Sequence, residues 1–296
     1  MTDYDFIGRK AIWFAFSTAV IAIGIAALII KGLTFGIEFK GGTMFEIKFS
    51  RSATVSEVRT AVQPMGLADA VIQQTGGARS ILLRTRELSI EKQVEVKKAL
   101  EKIGAKDFQI QAVGASWGAR LTSGTLVALL VSLVVVLGFI AIRFEFKMGL
   151  AAVIALVHDV MVALGLYALV GREVTTSTVA AFLTILGYSL YDTIVIFDRV
   201  RENAPGLKAT SYSGMVNTSI NQSLRRSINT SLTAIIPVTC LLVFGGETLK
   251  DFAFALLVGL ISGAYSSIFI ASPLLSLWKE TEPKYAALRK KLAKAS

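Results

Sequence analysis

The chain has 296 residues, 53% of them hydrophobic, with a mean hydropathy of +0.62. That balance excludes an ordinary water-soluble protein and a disordered one, and it points to a polytopic membrane protein. The formal net charge of +10 suggests a nucleic-acid partner only until the charges are placed. In the short connections between apolar runs, 15 Lys and Arg fall on one side, against Arg172 and Lys250 on the other. Most of the basicity is therefore the positive-inside bias of a membrane topology, and no nucleic-acid-binding motif accompanies it.

Residues 1–10 end in Arg9-Lys10, which places the N-terminus in the cytoplasm. The apolar run 11–30 lacks a small-residue cleavage site after it and reads as an uncleaved first spanning helix, with Trp13 near the interface. Hydropathy then falls, and residues 31–119 read as a water-soluble domain. MFEIKFS (44–50) alternates as a half-buried strand should. Ala53-Thr54-Val55-Ser56-Glu57 opens a helix that Pro64 and Gly66 stop. DAVIQQT (69–75) and RSILLRT (79–85) flank Gly76-Gly77 as a hairpin. A second helix, 90–102, sets Ile90, Val94, Lys97 and Glu101 at helical spacing, and DFQIQAV (107–113) alternates again. The order βαββαβ predicts a ferredoxin-like α+β domain outside the membrane, without His or Cys and so without an obvious catalytic or metal site.

Five more spans follow within 120–278. Helix two (123–142) returns to the cytoplasm at Arg143 and Lys147, helix three (148–170) carries His158-Asp159, and the turn Gly171-Arg172-Glu173 lies outside. Helix four covers 176–203. The polar connection 204–229 has Met215, Ile220 and Leu224 at helical spacing, which predicts that part of it lies along the membrane surface. Helix five (227–244) holds Pro237 as an expected kink and the lone Cys240, so no internal disulfide is possible. Helix six (251–278) carries Gly259 and Gly263, a spacing that lets helices approach closely. A basic tail, 279–296, ends in the cytoplasm.

Asp192 is the residue that carries chemistry. A carboxylate within an apolar span costs about 2.5–3.5 kcal/mol on insertion scales, so it requires a partner, water or a proton. Tyr188 and Ser189, four and three residues earlier, share its helix face and can hydrogen-bond near it. His158 and Asp159, being adjacent, point roughly 100° apart and should not line one cavity together. Asp198 with Arg199 reads as an interfacial ion pair. Other chemistries lack their motifs. There is no GxGD segment with a second carboxylate for an intramembrane aspartyl protease, HDVMV is not HExxH, and no GxxxxGK[ST] loop exists. No cofactor or metal is expected.

GYSLYDTIVIFDRVREN in helix four resembles the SecF family of bacterial protein-export membrane subunits, within the SecD/SecF group of the resistance-nodulation-division superfamily. So do GIEFKGGT (36–43), His158-Asp159, SINQSLRRSINTSLT (219–233) and FGGETLKDFAFALLVGLISGAYSSIFIASPL (244–274), in the same order along the chain. The resemblance implies a non-enzymatic subunit that pairs with SecD and joins the SecYEG channel. It would use the proton-motive force to draw a translocating preprotein outward in the bacterial cytoplasmic membrane, with YajC and YidC as further partners. It also implies that Asp192 and Arg226 are linked to proton transport, with Arg226 offsetting the deprotonated acid; beside them, Asp159, His158, Tyr188 and Ser189 are further proton-path candidates on their position. Gly36, Glu38, Gly41 and Gly42 would form a hinge or tight connection into the outer domain. The chain departs from the family at Glu38, where Asp is common, and at Tyr191, where Asn is common. The alternative is half of a proton-driven small-molecule or lipid exporter of the same superfamily, which would likewise need a partner half.

Overall fold

The computed structural model describes residues 4–75, 79–207 and 210–293. The chain divides into two compact units. One comprises Phe35–Ala128 with Glu173–Thr176; the other comprises the residues up to Thr34, Leu129–Arg172, and Ser177 onward.

In chain order the elements are α1 (Lys10–Lys31), β1 (Thr34–Phe35), α2 (Ile37–Lys40), β2 (Gly42–Phe49), α3 (Val55–Val62), β3 (Val71–Thr75), β4 (Ser80–Thr85), α4 (Ile90–Lys102) and β5 (Ala105–Val113). There follow α5 (Ala115–Arg143), α6 (Phe146–Val170), β6 (Glu173–Val174), α7 (Thr176–Asn203), α8 (Tyr212–Phe244), α9 (Glu247–Ser266), α10 (Ser272–Glu280) and α11 (Pro283–Ala293). Among the described residues, six helical stretches are long and apolar enough to cross a membrane, the last formed jointly by α9 and α10.

In the smaller unit, β2 to β5 make one sheet of order β3-β4-β2-β5. All its neighbours are antiparallel, and Phe45 stands opposite both Leu83 and Ile110. The period of two turns Phe45, Ile47, Phe49, Ile81 and Leu83 to one face, where they share a buried core with Val58 and Val62 of α3 and Val96 and Leu100 of α4. The expected βαββαβ order is present, and the strands flanking Gly76-Gly77 pair as a hairpin, although both glycines lie outside the described residues. α3 starts with a capping box: Thr54 Oγ1 accepts from the Glu57 N–H, and the Glu57 carboxylate accepts from the Thr54 N–H. The expected helix over 90–102 is present as α4, with Val96 and Leu100 in the core and Ile90 and Val94 exposed.

The larger unit is all helical. The polar connection does not lie apart as a surface helix, for α8 runs unbroken from Tyr212 to Phe244 and continues through Pro237. Its first turns bury Tyr212, Met215, Val216 and Ile220 in the same core as Phe6 and Ile7. Asn217 and Asn221 hold the N-terminal segment there. Asn217 Oδ1 accepts from the N–H groups of Phe6 and Ile7, Asn221 Oδ1 accepts from that of Tyr4, and both amide NH2 groups donate to the Tyr4 carbonyl. Those polar side chains satisfy backbone, which explains a connection that reads as solvated yet packs as core.

Between α9 and α10 a π-helical segment, Ser267–Ala271, widens the last span. Pro273 follows it; proline removes an N–H and pushes off the carbonyl four residues back, and the Ser272 hydroxyl donates to the Ser267 carbonyl at 2.8 Å. Asp198 pairs with Arg143 at 2.6 Å and with Arg201 at 3.6 Å, whereas Arg199 pairs with Glu202. The expected Asp198–Arg199 pair is not the one formed, because adjacent residues on a helix diverge and those three or four apart converge.

Candidate functional site

α7 has two differently built sides. On the first it packs against α9 through small residues. A Cβ added at Gly259 would lie 2.3 Å from Ile185 Cδ1, and one at Gly263 would lie 3.0 Å from Ser189 Cα. One turn on, the hydroxyls of Thr193 and Ser267 share a hydrogen bond at 2.7 Å. Ile185, Ser189 and Thr193 thus match Gly259, Gly263 and Ser267 at a four-residue step, so the glycine seam lies within this chain.

Asp159 on α6 closes that side. It is fully buried and accepts hydrogen bonds from three serine hydroxyls: Ser189 at 2.5 Å, Ser262 at 2.6 Å and Ser266 at 2.7 Å. His158 Nδ1 lies 3.0 Å from Asp159 Oδ1, so the adjacent pair does meet, against the expected divergence. The backbone sends the two side chains apart, but the short aspartate and the imidazole nitrogen nearest the backbone reach across. The His158 ring also stacks on Tyr265. With both oxygens bonded, the Asp159 carboxylate is saturated and joins α6, α7 and α9.

Asp192 sits on the other side of α7, toward α8, and is 2% exposed. Its Oδ2 accepts from the Ser231 hydroxyl at 3.0 Å. Within 3.5 Å neither its buried Oδ1 nor the hydroxyl of Ser227, one turn before Ser231 on α8, meets a hydrogen-bond partner among the described residues, although the Ser227 and Thr230 side chains lie close enough to act on the carboxyl. A buried carboxyl with one oxygen unpaired costs free energy as an anion, whereas a proton on that oxygen turns it into a donor. The contrast with saturated Asp159 is the central feature of the site.

The other expected residues fall around this pair. The Tyr188 hydroxyl donates to the Thr230 carbonyl of α8 at 2.9 Å, and Ser189 serves Asp159 rather than Asp192. Arg226 is exposed and donates to the Tyr191 hydroxyl at 3.2 Å; no ion pair within 4.0 Å joins it to Asp192. Thus the Tyr191 hydroxyl holds the guanidinium. Tyr188, Tyr191, Thr184, Gly187, Thr230 and Thr233 help line a groove of about 590 Å³ along α7 and α8. Serines 227, 231, 262 and 266, which build both acid sites, escaped sequence reading. Only their spacing of four residues on each helix signalled them.

Gly36, Glu38, Gly41 and Gly42 lie together at α2. The Gly36 N–H donates to the Val174 carbonyl at 3.0 Å, and Glu38 Oε2 accepts from both the N–H (2.5 Å) and the hydroxyl (2.6 Å) of Thr176, the first residue of α7. Gly41 has φ +75° and Gly42 φ +139°, and a Cβ on Gly42 would meet the Thr85 carbonyl at 2.5 Å. Only glycine fits those backbones.

Residues 93–281 match the family described as "Protein export membrane protein SecD/SecF, C-terminal", and residues 26–53 match the "SecD/SecF GG Motif". The protein translocase subunit SecF of Streptomyces coelicolor is 40% identical over 300 residues, covering 98% of this chain and 80% of that one. The subunit of the same name from Desulfurispirillum indicum is 40% identical over 283 residues, covering 92% and 89%. Among solved structures, SecDF from Thermus thermophilus, a translocon-associated membrane protein, superposes with a TM-score of 0.87 at 35% identity, over 94% of this chain. SecDF in a super-membrane-facing form gives a TM-score of 0.69 at 33% identity, over 98% of this chain. The chain spans 39% and 40% of the lengths of those two. This multi-pass membrane chain belongs to the SecD/SecF family of protein-export membrane proteins.

Proposed function

We propose that the chain is the SecF subunit of a protein translocase, paired with SecD, and that it uses the proton-motive force to promote late steps of polypeptide export through SecYEG. Its βαββαβ unit is a ferredoxin-like domain on the outer face of the bacterial cytoplasmic membrane, both termini are cytoplasmic, and YajC and YidC are candidate further partners. The observation that carries the proton step is Asp192, buried between α7 and α8 with one oxygen bonded and the other without a partner. The state of that group changes what α8 offers it. As an anion it draws hydroxyl donors from Ser231 and Ser227, and Arg226 leaves Tyr191 toward it. Once protonated it donates instead, and Arg226 rests on Tyr191. Asp159 and His158 act differently, as a saturated junction that ties α7 to α6 and α9, so that the three shift together against α8. A proton crossing the membrane supplies about 2.3 kcal/mol per 100 mV, comparable with coupling energies of about 1–3 kcal/mol. The bias of basic residues toward one set of loops supports the orientation.

The test is reconstitution of the chain with SecD and SecYEG in vesicles, with and without an imposed proton gradient. Gradient-stimulated release of a translocating preprotein is expected. Its absence, or gradient-driven extrusion of a small molecule or lipid in its place, would overturn the reading.

A further inference from the structure

Glu38 does more than fill a tight turn. Its carboxylate grips the first residue of α7, the helix that carries Asp192 sixteen residues further on, roughly 24 Å along the axis. The opening N–H groups of a helix have no partner within it, and the positive end of its dipole favours an anion, so two short hydrogen bonds to one carboxylate oxygen make a firm hold. The rest of the motif prevents Glu38 from yielding. The Gly36 N–H is bonded to Val174, just before α7. A Cβ on Gly118, in the first turn of α5, would lie 2.7 Å from the Phe39 carbonyl, and Gly42 lies against Thr85 at the end of β4. Arg84 of β4 forms an ion pair with Glu173, and both are largely buried. The segment 36–42 is thus wedged among the starts of α5 and α7 and the central strands of the sheet.

We propose that Glu38 is the positioning residue through which displacement of α7 is passed to the βαββαβ unit. The inference rests on the proton-driven reading above. α7 contains no proline, and its middle turns are tied to α6 and α9 through Asp159 and the glycine seam, so it moves as a rod. A rod transmits motion only where its end is held, and Glu38 supplies two hydrogen bonds to that end.

The test uses the full chain with SecD and SecYEG in vesicles and the variants Glu38→Ala, Glu38→Gln, Glu38→Asp and Thr176→Val. Two quantities are read: deuterium exchange over residues 174–200, and the stimulation of preprotein release by an imposed proton gradient. Glu38→Ala is expected to speed exchange at the Thr176 amide at least tenfold, with no change over 185–200, and to cut the gradient response at least fivefold. Glu38→Asp, which keeps the charge, should restore most of both. Glu38→Gln and Thr176→Val should fall between. A purely structural cap would alter exchange without altering the response to the gradient. Unchanged exchange in Glu38→Ala, or faster exchange with a full gradient response, would overturn the inference. A wild-type chain that ignores the gradient would instead overturn the functional reading on which it rests.

Discussion

Replacing Gly259 by alanine puts a methyl group 2.3 Å from the Ile185 side chain, far inside ordinary contact. Ile185 is 1% exposed and cannot swing into solvent or lipid. Overpacking of this kind costs about 1–3 kcal/mol, offset by the roughly 0.5–1 kcal/mol gained when alanine replaces glycine within a helix. Ile185→Ala alone opens a cavity and costs about 2–5 kcal/mol. If the seam is built as described, the new methyl fills part of that cavity. The double variant should then be more stable than the sum of the singles by about 1–2 kcal/mol. Equilibrium unfolding of the four proteins in mild detergent, followed by helix content, gives the coupling. Additivity within about 0.5 kcal/mol would refute direct packing of α9 on α7 at this position.

Asn217→Ala leaves the N–H groups of Phe6 and Ile7 without their acceptor, a loss of about 1–3 kcal/mol. Tryptic cleavage after Arg9 or Lys10 should accelerate about tenfold or more, and unchanged cleavage would show that the apolar side chains alone hold the segment. In the βαββαβ unit, the Thr54 backbone N–H, and then Arg51, hold the Glu57 carboxyl below its ordinary value of 4.5. A depressed pKa makes its contribution fully present above about 4.5 and lost as pH falls below it. Protection of α3 amides, measured against the falling intrinsic exchange rate, should therefore decrease from pH 5 to pH 3, and Glu57→Gln should remove that decrease. A wild-type profile equal to that of Glu57→Gln would contradict the cap.

Hydropathy and turn chemistry made the six spans and the strand order of the smaller unit readable, because burial in lipid and alternation on a sheet both leave strong periodic signals. Four features were not readable for physical reasons. The start of α8 looked solvated because Asn217 and Asn221 spend their polarity on the distant backbone of Tyr4–Ile7, and a partner some two hundred residues away leaves no local pattern. The roles of the two acids could not be separated, since an aspartate within an apolar run reads alike whether three serines saturate it or one oxygen stays unpaired. The π-helical turn at Ser267–Ala271 hides within an ordinary apolar stretch, with Pro273 as its sole local mark. The contact of Arg226 with the Tyr191 hydroxyl was likewise hidden, since two side chains 35 residues apart on different helices leave no local pattern.

The most direct measurement is gradient-stimulated preprotein release by Asp192→Asn, reconstituted with SecD and SecYEG alongside Asp159→Asn. Asparagine keeps the shape and removes titration. Asp192→Asn should insert and pair with SecD normally yet lose the response to the gradient, whereas Asp159→Asn should lose thermal stability as its serine donors are left with a weaker acceptor. A full gradient response from Asp192→Asn would contradict the account.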